Sequence, residues 1–448
     1  VLVREVPPAR RLRGEVNIPG DKSISHRAAI LGLLAEGETR IQNFLKAGDC
    51  LNTLKACEQL GAGVRWEDET LVIRGCGLRG LKKPAGPIDC GNSGTGVRLL
   101  AGVLAGVDFG GPVEITGDEQ VRRRPMNRVI EPLTKMGARI ESEPGGLCPL
   151  RIQGGNLKGI DYASPVASAQ VKSCILLAGL FAGGKTNVTE PSKSRDHTEI
   201  MLRYFGVKLL KYPIQKRMPD ANSPTAHATK IGVQGGRSFS GKDIAIPSDI
   251  SSAAFFIVAA GLLKGSELDI PGVGINPTRT ELISILKQMG VSIAYVKKKK
   301  HAGESVADMK VASMVKPPQA IFYETSAERI PSLIDEIPIL AVAATAIEQG
   351  LTIRNARELR VKETDRISVL TGELRRVGVK IDEFEDGMKI YGGKIIGGDA
   401  DSHGDHRLAM SLAVAGLVSE RGVSVHNPDC VNTSFPGFWE LLDQAAER

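Results

Sequence analysis

The chain of 448 residues is 42% hydrophobic and 24% charged, and its 58 Lys and Arg against 51 Asp and Glu leave a mild net charge of +7. Such a length implies two or three domains at about 150 residues each, and the longest apolar run, the 11 residues Ala253 to Leu263, falls short of the roughly 20 that span a membrane. Aromatics at 4% offer few stacking platforms for nucleic acid, so small anions are the expected partners of the positive excess.

The amino-terminal VLVREVPPARRLRGEV lacks the apolar core of a signal peptide, and GEVNIP at 14–19 reads as spare strand. One pattern then recurs six times, an apolar helix opened by a small polar or acidic residue and closed by a glycine turn. The segments are SISHRAAILGLLAEG, SGTGVRLLAGVLAG, SAQVKSCILLAGLFAG, SSAAFFIVAAGLLKG, DEIPILAVAATAIEQG and DHRLAMSLAVAGLVSERG. With Ser23, Ser93, Ser168, Ser251, Asp335 and Asp405 as markers, the spacings are 70, 75, 83, 84 and 70 residues. After each comes a short alternating run (TRIQNF, VEITG, TNVTEP, ELDIPG, LTIRNA, VSVHNP), a half-buried strand by its period of two. In five units an amphipathic helix follows and stops at Gly61, Gly137, Gly206, Gly290 or Gly378, where a left-handed cap suits a residue without a side chain. The sixth ends early at FWELLDQAAER, and GEVNIP is expected to complete it.

The expectation is therefore an α/β protein of two similar domains with three units each. Residues 1–20 plus 247–448 form the domain with both termini, and residues 21–246 form the other, with the return near Ile246 and Pro247. A unit near 75 residues is too long for a solenoid. The insertion from Tyr212 to Ala228 and the run Lys297 to Lys300 read as solvated loops. Seven scattered cysteines without a CxxC pair indicate neither a disulfide framework nor a zinc site, and a cytoplasmic location is expected.

Gly179 to Thr186 (GLFAGGKT) matches the phosphate-loop pattern, but that loop runs from a strand into a helix and this one leaves a helix for a strand. Gly91, Gly94 and Gly96 in CGNSGTG precede a helix whose bare amides and dipole favour an anion, without the glycine order of a dinucleotide loop. DKSISHRA crowds Lys22, Ser23, Ser25 and Arg27 into a helix start. Structurally, Ser23 or Ser25 is an N-cap and the cations are solvated. Functionally, cations there oppose the dipole and ask for an anion, and Arg98, Ser168, Gln170, Asp335, Glu336, His406 and Arg407 recur at equivalent places. Arg122, Arg123 and Arg124 repel one another unless solvated or neutralised, and guanidinium suits carboxylate and phosphate. The i, i+3 spacing sets Glu363 beside Arg366, either as a surface ion pair or within the same cluster.

At DKSISHR, GNSGTGVRLL, GDEQVRRRPM, SPVASAQVKS, SRDHTE, LIDEIPILAVAA, RVKETDR and DHRLAMS, from residue 21 to about 410, the chain resembles the enolpyruvyl transferase family. SAQVKS and RDHTE are similar to its bacterial class II branch. The resemblance implies two inside-out α/β domains, each of three repeated βαβαββ-type units, with the active site in the interdomain cleft. It implies transfer of the carboxyvinyl group of phosphoenolpyruvate to the 5-hydroxyl of shikimate 3-phosphate, with phosphate released and no metal or cofactor. It also implies a monomer, no nucleic-acid or membrane partner, and glyphosate as a competitor of phosphoenolpyruvate.

Carried over position by position, Lys22, Asp335 and Glu363 are catalytic. Asp335 is the base for the 5-hydroxyl, and Glu363 the acid that protonates the methylene carbon, which requires a raised pKa near neutrality. Lys22, Ser23, Arg27, Ser168, Ala169, Gln170, Arg195, Asp335 and Lys362 would bind shikimate 3-phosphate. Lys22, Gly94, Thr95, Arg124, Gln170, Arg366, His406 and Arg407 would bind phosphoenolpyruvate. One departure is the lysine missing before Ser434-Phe435-Pro436, whose place another cation must take. The rival activity, transfer to UDP-N-acetylglucosamine, goes with a cysteine five residues before the Arg-Pro pair, where this chain has Glu119. A noncatalytic anion-binding module has no need for Asp335 together with Glu363.

Overall fold

The computed structural model describes residues 2–212, 228–314, 325 and 327–448, so most of the 212–228 insertion lies outside the described residues. Helices are α1 (Lys22–Leu34), α2 (Gly48–Gln59), α3 (Gly94–Ala105), α4 (Glu119–Arg122), α5 (Asn127–Met136), α6 (Ala169–Gly179) and α7 (His197–Tyr204). They continue with α8 (Ile250–Leu262), α9 (Glu281–Gln288), α10 (Ile337–Ala344), α11 (Arg366–Arg376), α12 (His406–Val418) and α13 (Phe438–Ala445). The six apolar segments form α1, α3, α6, α8, α10 and α12. Helix α8 is buried without a break from Ile250 to Gly261 and α12 from His406 to Leu417, as helices apolar on every side must be. The second helices are one-sided: α5 buries Val129, Pro132, Leu133 and Met136, an i, i+3, i+4, i+7 stripe.

A buried helix has to satisfy its first amides internally. Asp21, Ser93, Ser168, Asp249 and Asp405 do so, each accepting a backbone N–H from the first turn of α1, α3, α6, α8 and α12. The cap of α1 is thus Asp21, bonded to Ile24 N at 2.9 Å, and not Ser23 or Ser25. Ser25 lies inside the helix, where its Oγ accepts from Leu45 N at 3.1 Å. At the other ends, the five stopping glycines all have positive φ, from +89° at Gly206 to +113° at Gly137. Gly102 serves a different purpose: a Cβ there would lie 2.3 Å from Cys174 O, so its absence lets α3 and α6 pack closely.

The chain divides into two units, Val1–Pro19 with Pro247–Lys300 and Ser305–Arg448, and Gly20–Ile246 with His301–Glu304. We call these unit 1 and unit 2. Unit 2 contains three four-stranded sheets of one design. In each, an edge strand runs parallel to the strand that follows the apolar helix, and two antiparallel strands complete it. In the third sheet that edge strand, Asp243–Ala245, is the last of the unit and pairs with the first, Glu36–Gln42, so the three repeats form a closed cycle.

Unit 1 is assembled similarly. Val3–Val6 pairs antiparallel with Val423–His426 and completes the sixth repeat, the place expected for GEVNIP. Strand Arg11–Glu15, which takes in the start of GEVNIP, instead runs parallel to Glu267–Gly274 in the fourth repeat and pairs on its other side with Ala446–Glu447. Lys297–Lys300 is exposed as expected but belongs to strand Ser292–His301 and not to a loop. Within unit 1, Phe438 packs edge to face on Phe255, Phe256 and Phe435, and Phe256 lies tilted against Phe435, with centroids 5.4 to 6.2 Å apart. Unit 2 has its own core, built on residues such as Leu31, Leu100 and Ile175.

Gly206 and Gly48 are both exposed, and a Cβ added at either position would meet no atom within 4 Å, but only Gly206 has a positive φ, +89°. Gly206→Ala is expected to cost about 1–2 kcal/mol through backbone strain alone, whereas Gly48→Ala leaves stability unchanged or raises it. Urea denaturation of the two variants checks this, and equal midpoints would remove the strain argument.

Candidate active site

In unit 2 the helix starts are tied together by side chains. Gln170, in the first turn of α6, donates from Nε2 to Thr95 Oγ1 and accepts from Arg98 Nη1, both at 2.8 Å, joining α6 to the start of α3. Ser93 caps α3 at Gly96 N (2.9 Å), and Gly94 opens it; a Cβ on Gly94 would sit 2.7 Å from Arg124 Nη1 and 3.0 Å from Arg98 Nη1. Lys22 donates to Asp49 Oδ2 at 3.1 Å. Arg27 is buried and directs Nε to Thr198 Oγ1 (2.7 Å), Nη1 to Ser23 O (2.8 Å) and Nη2 to Ser173 Oγ (2.9 Å). Ala169 follows the Ser168 cap, and Arg195 lies in the turn before α7. The repulsion expected among Arg122, Arg123 and Arg124 is relieved by divergence. Arg122 bonds Gly117 O at 3.0 Å, Arg123 pairs with Glu119, and Arg124 is buried beside Gly94. With Lys22, Arg27, Arg98, Arg124 and Arg195 around three helix N-termini, this cluster attracts anions.

The cluster in unit 1 has a different character. Arg366 is only 1% exposed and meets three carboxylates: Glu363 Oε2 at 2.5 Å, Asp405 Oδ2 at 2.7 Å and Asp335 Oδ1 at 3.6 Å. Burial works to lower its pKa, but Asp405, Glu363 and Asp335 outweigh that and hold it above the ordinary guanidinium value. The Glu363–Arg366 pair, with its guanidinium buried and its carboxylate half-buried, is therefore not a surface ion pair. Asp405 also caps α12 through Arg407 N at 2.9 Å. Arg407 donates from Nη1 to Asp335 O at 2.7 Å and lies 3.6 Å from Glu336 Oε1, which accepts from Ser251 Oγ in the first turn of α8. Lys362 Nζ stands 3.8 Å from Asp335 Oδ1, and His406 is buried as the first residue of α12. Thus α8, α10 and α12 are joined at their starts around Asp335, Glu363, Arg366 and Arg407.

Sequence reasoning passed over Asp49, the partner of Lys22, and the buried trio Lys172, Glu190 and Glu199. A single charged residue, Lys172, in a largely apolar helix was the available signal for the trio. Among the described residues no group of three or more His, Cys, Asp or Glu is placed to hold a metal ion. GLFAGGKT runs from the end of α6 into strand Lys185–Glu190, opposite to the phosphate-loop order.

Residues 6–442 match the family model described as EPSP synthase (3-phosphoshikimate 1-carboxyvinyltransferase). A 3-phosphoshikimate 1-carboxyvinyltransferase of Citrifermentans bemidjiense is 48% identical over 445 residues, 99% of each chain. One from Bacillus velezensis is 46% identical over 441 residues, 98% of each. Among solved structures, EPSP synthase from Acinetobacter baumannii superposes with a TM-score of 0.83 at 40% identity, covering 99% of this chain and 98% of that one.

His26 lies beneath the unit 2 cluster, with Nδ1 2.8 Å from Thr53 Oγ1 and Nε2 3.4 Å from Ser93 Oγ, the α3 cap. Burial, and then the charges of Lys22 and Arg27, hold its pKa well below the usual 6.5. Folded His26 stays neutral while the unfolded chain takes up a proton near pH 6.5. The stability that depends on this neutral ring is present above that pH and is lost as pH falls toward the depressed folded value. Between about pH 7 and pH 5 the wild type should lose stability faster than His26→Gln, by up to about 1.4 kcal/mol per pH unit. Parallel denaturation curves for the two proteins would contradict this.

Proposed function

The chain belongs to the EPSP synthase (3-phosphoshikimate 1-carboxyvinyltransferase) family, and from that premise we infer that it transfers the carboxyvinyl group of phosphoenolpyruvate to the 5-hydroxyl of shikimate 3-phosphate. In the addition step the 5-oxygen bonds to C2 of phosphoenolpyruvate, its proton leaves, and C3 gains a proton. In the elimination step the bond from C2 to the phosphate oxygen breaks as C3 gives up a proton, leaving an enol ether and phosphate. The observation that carries this reading is the placement of Asp335 and Glu363 on one buried guanidinium, Arg366. Such chemistry needs a base for the hydroxyl and an acid for the alkene carbon, whereas an anion binder needs neither.

We propose the following roles for the residues of the two clusters. Ser168, Ala169, Gln170 and Arg195, with Lys22, Ser23 and Arg27, hold shikimate 3-phosphate. Gly94, Thr95, Arg124 and Gln170, with Lys22, receive phosphoenolpyruvate, whose charge Arg366, His406 and Arg407 also meet. Asp335, beside Lys362, takes the 5-hydroxyl proton; Glu363 delivers the proton to C3 and later recovers one. Each substrate carries a carboxylate and a phosphate, about five or six negative charges together, which accounts for the cations. The rival transfer to a UDP-amino sugar is not favoured: the position of its loop cysteine holds Glu119, exposed and paired with Arg123. A cytoplasmic location is part of the same proposal and is supported by the seven cysteines being free thiols, most of them buried.

Phosphate release is expected only when both substrates are present. Glu363→Gln should lower kcat by about 10²–10⁴-fold while shikimate 3-phosphate binding changes by no more than about threefold, equivalent to roughly 0.7 kcal/mol. No release by the wild type would sink the reading, and near-normal turnover of the variant would sink the acid role. We further propose that glyphosate competes with phosphoenolpyruvate. Gly94→Ala puts a Cβ 2.7 Å from Arg124 Nη1 and should weaken inhibition about tenfold, near 1.4 kcal/mol; equal inhibition curves would refute the steric argument.

A further inference from the structure

The one charged side chain in α6 is Lys172, an ammonium with 2% exposure. A charge so buried requires compensation. It receives two carboxylates, Glu190 Oε2 and Glu199 Oε1, each at 2.8 Å. Burial works to lower the Lys172 pKa, but Glu199 and Glu190 more than offset it and the net shift is upward.

The other oxygen of Glu190 reaches further. Its Oε1 accepts the Ser168 amide N–H at 3.1 Å and the Ser194 hydroxyl at 2.6 Å. Ser168 is the N-cap of α6, and Ser194 immediately precedes Arg195. One carboxylate therefore spans the two segments that carry Ser168 and Arg195, and Lys172 fixes it from behind. Next to this bridge, Ser173 and Thr198, the neighbours of Lys172 and Glu199, place their hydroxyls 2.6 Å apart and both accept from Arg27. An uncompensated carboxylate so close to a phosphate site would repel the ligand. Lys172 supplies the compensating charge without occupying the site.

We propose that Glu190, held by Lys172, is a positioning residue that sets the spacing of Ser168 and Arg195 and thereby the affinity for the phosphate of shikimate 3-phosphate. This rests on the substrate assignment made above. The effect is selective for that substrate, because Gln170, which both substrates share, is held by Thr95 and Arg98 and not by Glu190.

Ser194→Ala removes one arm of the bridge with little change in volume, and Glu190→Gln removes its charge. Each should weaken shikimate 3-phosphate binding, measured by calorimetry without phosphoenolpyruvate, by about three- to tenfold, as the loss of one hydrogen bond implies. The KM for phosphoenolpyruvate and kcat should stay within about twofold, and Ser194→Thr should restore binding. Should Glu190→Gln not fold, Ser194→Ala decides alone. Unchanged affinity in folded variants of an active enzyme would overturn the positioning role. So would a common fall in both affinities, kcat and thermal midpoint, which is the mark of general loosening. A wild type that turns over neither substrate would instead overturn the substrate assignment.

Discussion

A helix buried on every side cannot leave its end groups to water, and most of the polar chemistry in this protein follows from that constraint. The lateral surfaces of α8 and α12 are committed to core packing, so polar side chains gather at the starts. There the caps Asp21, Ser93, Ser168, Asp249 and Asp405 do more than terminate helices. Asp405 orients Arg366, Ser93 touches His26, and Ser168 is tied to Glu190. These three caps are thus members of networks that reach beyond their own helices.

The two clusters solve different electrostatic problems. In unit 2 basic groups outnumber acidic ones and lie at positive helix ends, which is an arrangement for gathering anions. In unit 1 a buried guanidinium is matched by several carboxylates, which keeps Asp335 and Glu363 close without leaving a bare charge. Removing one partner from a buried set of this kind typically costs about 3–5 kcal/mol. Arg366 is therefore a structural tie of unit 1 as well as a proposed ligand group.

The repeat was legible because periodicity and glycine stops are local properties. All six apolar segments contain helices, all six alternating runs begin in strands, and each stopping glycine has positive φ. What misled was also local: Ser23 and Ser25 look like caps, but Asp21, just ahead of them, has the carboxylate in reach of Ile24 N. GEVNIP looks like the missing strand, yet Val3–Val6 fills that place, since pairing between distant segments leaves no trace in spacing. The candidate site was legible as types of residue at helix starts. Its internal pairings were not, because Lys172 meets Glu190 and Arg366 meets Asp405 across intervening stretches of chain.

The pairing of Val3 with His426 spans 423 positions. During synthesis the first strand leaves the ribosome well before its partner exists, and at about 5–20 residues per second the wait is roughly 20–85 s. Unit 2, drawn almost wholly from the uninterrupted stretch Gly20–Ile246, meets no such delay. The nascent chain therefore carries a bare strand edge past a domain that is already able to fold, and that edge has to stay unpaired until the last repeat emerges. Its brevity, four residues with two of them charged, is a physical safeguard over that interval.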